Sequence, residues 1–293
     1  VRPLYQRLQE ARRQLEAPWE IIERDYLLSW ILAGIGSSTS LRHTLAFKGG
    51  TALKKCFFGE YRFSEDLDFS ALDGAPHAES LEEALRDCCQ SAREMLDEVA
   101  PVEIVCDRYT EARPHPGGQE AFTIRCRFPW HREPSTRIKI EITFDEPILK
   151  PTQSRTILHN YEEPLDAQIR TYALEEIVAE KLRAILQHIA RLAERGWSRS
   201  RARDYYDLWR ITDKYAGELD LSGFEEFLHK KCAARNVRFD GPASFFQESM
   251  MLYVSQTWEQ WLGQLVPDLP TYDAVIQELR PRIEELLASD AGS

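Results

Sequence analysis

Phe47-Lys-Gly-Gly-Thr-Ala-Leu-Lys-Lys55, followed by Arg62-Phe-Ser-Glu-Asp-Leu-Asp-Phe69, is the stretch on which the reading of this chain turns. Thr44 to Phe47 reads as a short strand stopped by Gly49-Gly50, Thr51 to Phe58 as a short helix, and Leu67 to Ser70 as a second strand. Paired glycines let a backbone come close to phosphate oxygens, and Thr51 adds a hydroxyl at the helix start, where exposed N–H groups favour an anion. Asp66 and Asp68 stand two residues apart, so on a strand both carboxylates project from one face while Leu67 turns into the core. That geometry suits a hard divalent cation. Mg²⁺ takes one or two protein carboxylates together with substrate phosphate oxygens, and two such ions can clamp the attacking and leaving oxygens of an in-line displacement.

A third carboxylate is expected on a later strand. In Arg137-Ile-Lys-Ile-Glu-Ile-Thr-Phe144 the isoleucines alternate with polar residues, so a buried isoleucine face would leave Glu141 on the polar side. Glu141 is then the third metal ligand or the base that takes the acceptor proton. A lone Gly-Gly is more often a turn, and a lone Asp-x-Asp more often a solvated face. The conjunction of a glycine turn, a close acidic pair and a third acid on a later strand is what points to chemistry.

Outward from these blocks, Ile21 to Ile35 reads as a buried helix ending at Gly34 and Gly36, and Glu79 to Val99 as another helix. Val102 to Tyr109, Phe122 to Trp130 and Arg137 to Phe144 read as strands, and from Leu174 onward every pattern is helical. The expectation is an α+β chain: an N-terminal nucleotide-binding lobe with a mixed sheet at 1–150 and an all-helical lobe at 165–293. The three prolines of Pro147 to Pro164 lie between them.

The composition is that of a globular chain, with 293 residues, 43% hydrophobic and 29% charged, which argues against disorder and fibrous repeats. A net charge of −11 argues against a protein that coats nucleic acid nonspecifically, because such binding is driven by Lys and Arg. Two basic clusters run against that average: Arg191, Arg195, Arg199, Arg201 and Arg203 around Trp197, then Lys230, Lys231, Arg235 and Arg238. On one wall they would hold an RNA backbone; as solvated helix faces they would hold nothing. Six cysteines without CxxC spacing, no signal-like start and no run long enough to span a bilayer fit reduced thiols in the cytoplasm and no membrane role.

Gly49-Gly50, Asp66-x-Asp68 and Glu141 together resemble the polymerase-beta nucleotidyltransferase pattern. The wording around them, with Leu174-Glu-Glu-Ile-Val-Ala-Glu-Lys181 and Arg203-Asp-Tyr-Tyr-Asp-Leu208, resembles the AbiEii/AbiGii toxin family. The gap from Gly50 to Asp66 is longer than in many members of the superfamily but suits this branch. The resemblance implies a polymerase-beta-like fold and transfer of a nucleotide from an NTP with Mg²⁺, or Mn²⁺ in its place. It further implies the toxin half of a type IV toxin–antitoxin or abortive-infection pair, with a cognate antitoxin and an RNA acceptor, tRNA before others. It assigns Asp204 to the active site, with Asp207 a structural partner. By residue chemistry, Lys181 facing a cleft would neutralise triphosphate charge or stabilise the leaving pyrophosphate. Arg62 and Ser64 would hold phosphate or the loop itself. A small-molecule or protein acceptor stays open beside RNA.

Overall fold

Helix α2 (Trp19–Ser37) is buried on nearly every side from Ile21 to Ile35, as its almost continuous apolar run requires. In this computed structural model, which describes residues 2–109, 118–196 and 200–288, α2 lies behind a mixed sheet and follows a short helix α1 (Leu4–Gln14). Gly34 does not end the helix. A Cβ there would come within 2.3 Å of the Cys88 carbonyl oxygen, so this glycine is what lets helix α4 (Ala78–Asp97) pack closely on α2.

The sheet is built from β1 (Leu45–Lys48), β2 (Leu67–Ala71), β3 (Glu103–Tyr109), β4 (Glu120–Arg127), β5 (Thr136–Thr143), β6 (Gln153–Thr156) and β7 (Gln168–Thr171). Among the described residues the order is β3-β4-β5-β2-β1-β7-β6. β2 runs parallel to β5 and β1 parallel to β7, while the remaining neighbours are antiparallel. Leu67, Phe69, Ile138, Ile140 and Ile142 are all buried; they line the face covered by the helices, and the opposite face carries the polar alternates. Between β1 and β2 the chain forms a single helical turn α3 (Gly49–Ala52) that widens into a π-helical stretch over Leu53–Phe58. Lys55 is buried in that stretch, with its ammonium 3.0 Å from Asp25 of α2.

Contacts divide the chain into two units: residues 1–146 with 152–172, and residues 147–151 with 173–293. Strands β6 and β7 therefore belong to the first unit, although the sequence pattern places a linker at 147–164 and opens the helical lobe at 165. Each strand is only four residues long, and β6 is almost wholly exposed, so neither leaves a hydrophobic period to read. The second unit holds α5 (Leu174–Arg195), α6 (Ala202–Lys214), α7 (Phe224–Ala233), α8 (Glu248–Leu262) and α9 (Tyr272–Ala288). Its core includes an ion pair: the fully buried Lys231 ammonium sits 2.7 Å from Glu176 and donates to the Pro147 carbonyl.

Candidate active site

The register of three strands assembles the acidic group. Lys48 of β1 pairs with Asp68 of β2, and Asp68 pairs with Glu141 of β5. Residues in register across a sheet share a face, so Lys48, Asp68 and Glu141 stand in one row about 4.8 Å apart from strand to strand. Asp66 immediately precedes β2 and lines a recess together with Thr123 and Lys139 of the polar face. Lys48, which sequence reasoning left without a role, places its ammonium 3.6 Å from Glu146.

The glycine turn is pressed against this row. Gly49 has φ +78°, and a Cβ on it would meet the Asp68 Oδ2 at 2.6 Å. A Cβ on Gly50 would meet the Arg62 guanidinium at 2.3 Å. Gly49 thus satisfies two demands that no other residue meets together, a left-handed backbone and a carboxylate against its Cα. Arg62 is buried and donates to the Phe63 carbonyl, so it braces the turn from the far side. Thr51 gives its hydroxyl proton to the Asp66 carbonyl at 2.5 Å, which ties the start of α3 to the segment that carries the acids. Ser64 is half-buried in the same connecting loop. Glu141 accepts hydrogen bonds from Lys139 and from Gln119, neither of which the sequence singled out.

In the second unit Lys181 of α5 is clamped by two carboxylates of α6, with its ammonium 3.0 Å from Asp204 and 2.6 Å from Asp207. Asp207 is fully buried. The spacing of Asp204 and Asp207, three residues on one helix, places both toward the same cation. Arg201 adds a second positive group 2.9 Å from Asp204. Burial alone would raise the Asp204 pKa, but Lys181 and Arg201 outweigh it and hold the carboxyl well below its usual range. His188 is pushed down to about 4 by burial and by Arg201. Its Nδ1 faces the Ala184 carbonyl, so the neutral ring donates there and accepts from Arg201 through Nε2.

Several members of the basic clusters are committed to partners within the helical unit, while Arg191 and Arg195 are exposed. Lys231 is the buried core lysine, Lys230 pairs with Glu226 and Arg238 with Asp240. Arg201 is committed to Asp204, and Arg203 lies over the Trp261 ring. Trp197 and Arg199 fall outside the described residues.

No group of three or more acidic, histidine or cysteine side chains among the described residues is drawn together into a ready cation cage. Asp66, Asp68 and Glu141 are nevertheless the hard oxygen donors that Mg²⁺ accepts when phosphate oxygens complete its shell.

A mixed sheet that brings Asp68 and Glu141 into register beside a glycine turn fits the nucleotidyltransferase pattern that the sequence resembles. Residues 30–289 match the family described as nucleotidyl transferase AbiEii toxin of type IV toxin–antitoxin systems, and the chain belongs to that family. The fold is also similar to that of MenT4, a nucleotidyltransferase toxin from Mycobacterium tuberculosis H37Rv, with a TM-score of 0.61 at 20% identity, covering 93% of this chain and 86% of that one. No curated protein matches the sequence. The protein is therefore a nucleotidyltransferase toxin that takes an NTP and has an antitoxin partner. No helix among the described residues is long and apolar enough to cross a membrane.

Proposed function

We propose that the protein transfers a nucleoside monophosphate from an NTP to an RNA acceptor, tRNA foremost, with release of pyrophosphate. The register row Lys48–Asp68–Glu141, with Gly49 packed on Asp68, carries this reading. Asp66, Asp68 and Glu141 are the residues that would hold Mg²⁺. When bound, the ion neutralises triphosphate charge and polarises the phosphorus under attack. The chain's own contribution is positioning: Gly49 and Gly50 offer a bare backbone to the phosphates, Arg62 and Thr51 keep that backbone in place, and Lys139 and Gln119 orient Glu141. In place of a ligand role, Glu141 on the polar face would serve as the base that accepts the proton of an attacking hydroxyl. In the helical unit Asp204 and Asp207 fix where the Lys181 ammonium points, and a lysine so held is suited to neutralising phosphate charge.

The test incubates purified protein with Mg²⁺, each α-³²P-labelled NTP in turn and deproteinised bacterial RNA, beside an Asp66→Ala control. Label on RNA that the control fails to transfer supports the reading and identifies the base. Label on protein or on a small molecule alone replaces RNA as the acceptor.

A further inference from the structure

Beside Asp66 the polar face of the sheet opens into a recess of about 380 Å³ walled by Arg24, Glu65, Asp66, Tyr109, Arg137 and Lys139. We propose that this recess is the acceptor subsite, which takes the unpaired end of an RNA strand with Tyr109 stacked on a base and Arg137 on a backbone phosphate. It rests on the reading that the acceptor is RNA.

The sheet register places the recess. Tyr109 pairs with Ala121, and Ala121 with Glu141, so Tyr109 stands in the row that continues through Glu141, Asp68 and Lys48. Three strand spacings put its backbone about 14 Å from that of Asp68. The residues of β4 that lie between are Ala121 and, one pleat along, Thr123. Both are small, which leaves space above the sheet between the tyrosine ring and the carboxylates. The Tyr109 side is open to solvent, with 49% of the residue exposed, and the Lys139 ammonium lies 5.4 Å from its ring centroid. An exposed tyrosine at the end of an edge strand presents a flat face on which any base can stack.

The charges are distributed to leave one cation available. Arg24 is paired with Glu65 and also donates to the Arg137 carbonyl, which fixes the start of β5. Lys139 is paired with Glu141. Arg137 is exposed, and among the described residues no carboxylate lies within ion-pairing distance of its guanidinium. In a chain of net charge −11, an uncompensated arginine beside an exposed aromatic ring and next to the acidic row is a local reversal of sign. Guanidinium plus aromatic face is the pair of groups by which proteins grip unpaired strands without reading their sequence.

The full chain is assayed for label transfer with RNA varied at saturating NTP, then with NTP varied at saturating RNA. Arg137→Glu and Tyr109→Ala are each expected to raise the RNA KM by roughly tenfold or more, with the KM for NTP unchanged; Tyr109→Phe, which keeps the ring, stays near wild type. With Arg137→Ala the slope of log affinity against log salt becomes shallower by about 0.7, the contribution of one single-strand phosphate contact. An unchanged RNA KM in both variants, or a parallel rise in the KM for NTP, overturns the subsite while leaving RNA as the acceptor. Wild-type protein that labels only protein or a small molecule overturns the RNA reading itself, and the subsite with it.

Discussion

Gly49→Ala separates positioning from folding. At φ +78° an alanine is strained by about 1–2 kcal/mol. Its Cβ would also sit 2.6 Å from the Asp68 Oδ2, about 1 Å short of ordinary contact, and a displacement of that size at reacting groups costs on the order of 100-fold in rate. Gly74 supplies the control, for it has φ +80° with nothing within 4 Å of the added carbon. Both alanine variants are therefore expected to lose about 1–2 kcal/mol in urea denaturation, read as a lower midpoint at constant m-value. Only Gly49→Ala should lose kcat for label transfer by about two orders of magnitude. A Gly49→Ala enzyme within about threefold of the Gly74→Ala rate would refute the claim that the turn holds Asp68 in its working position.

Lys231→Met removes the cation from a fully buried pair and leaves Glu176 uncompensated, so it is expected to destabilise the protein by about 3–5 kcal/mol; adding Glu176→Leu in the same chain should recover most of that loss in thermal melts. His159 is half-buried against Tyr26, Trp30 and Tyr161 with both ring nitrogens shielded from solvent, and that desolvation holds it neutral, its pKa pushed down to about 3. Because the unfolded ring still binds a proton below its ordinary pKa of 6.5, unfolding takes up a proton between about 3 and 6.5, and stability contributed by this site is lost as pH falls through that window. His159→Phe should therefore flatten the acid limb of a stability–pH profile, and an unchanged limb would assign the acid loss to other groups. Asp207→Asn leaves Lys181 with Asp204 as a carboxylate partner on α6; a fall in stability of about 3–5 kcal/mol is expected by urea titration, since a buried charge loses its close partner.

Much of the site is written in local pattern. The isoleucines of β5 alternate strictly, and that alternation alone puts Glu141 on the polar face; Leu67 and Phe69 on either side of Asp68 do the same one strand away. What local pattern does not carry is register. That Asp68 falls opposite Glu141 on one side and Lys48 on the other is decided by strand pairing across dozens of residues, and no period in either segment announces it. The same limit hides β6 and β7, whose four-residue strands hold one buried isoleucine between them at Ile169. Charge runs mislead for a related reason. Lys230 and Lys231 are neighbours in sequence, yet one turns to solvent and Glu226 while the other turns into the core against Glu176. A helix distributes adjacent residues about 100° apart, so neighbouring charges need not share a surface. Lys54 and Lys55, which close the glycine motif, are likewise buried beside Asp25.

The central claim is that Asp66 and Asp68 together hold the metal and nucleotide. It is met most directly by titrating Mn²⁺, followed by electron paramagnetic resonance, in the presence of a non-hydrolysable NTP analogue, for wild-type protein and for the Asp66→Asn and Asp68→Asn variants. Loss of a ligand is expected to weaken Mn²⁺ binding by at least the roughly 10–100-fold that loss of a ligand's hydrogen-bonding partner costs, with folding unchanged by circular dichroism. Equal Mn²⁺ affinity in all three folded proteins would place the ion elsewhere and contradict the account.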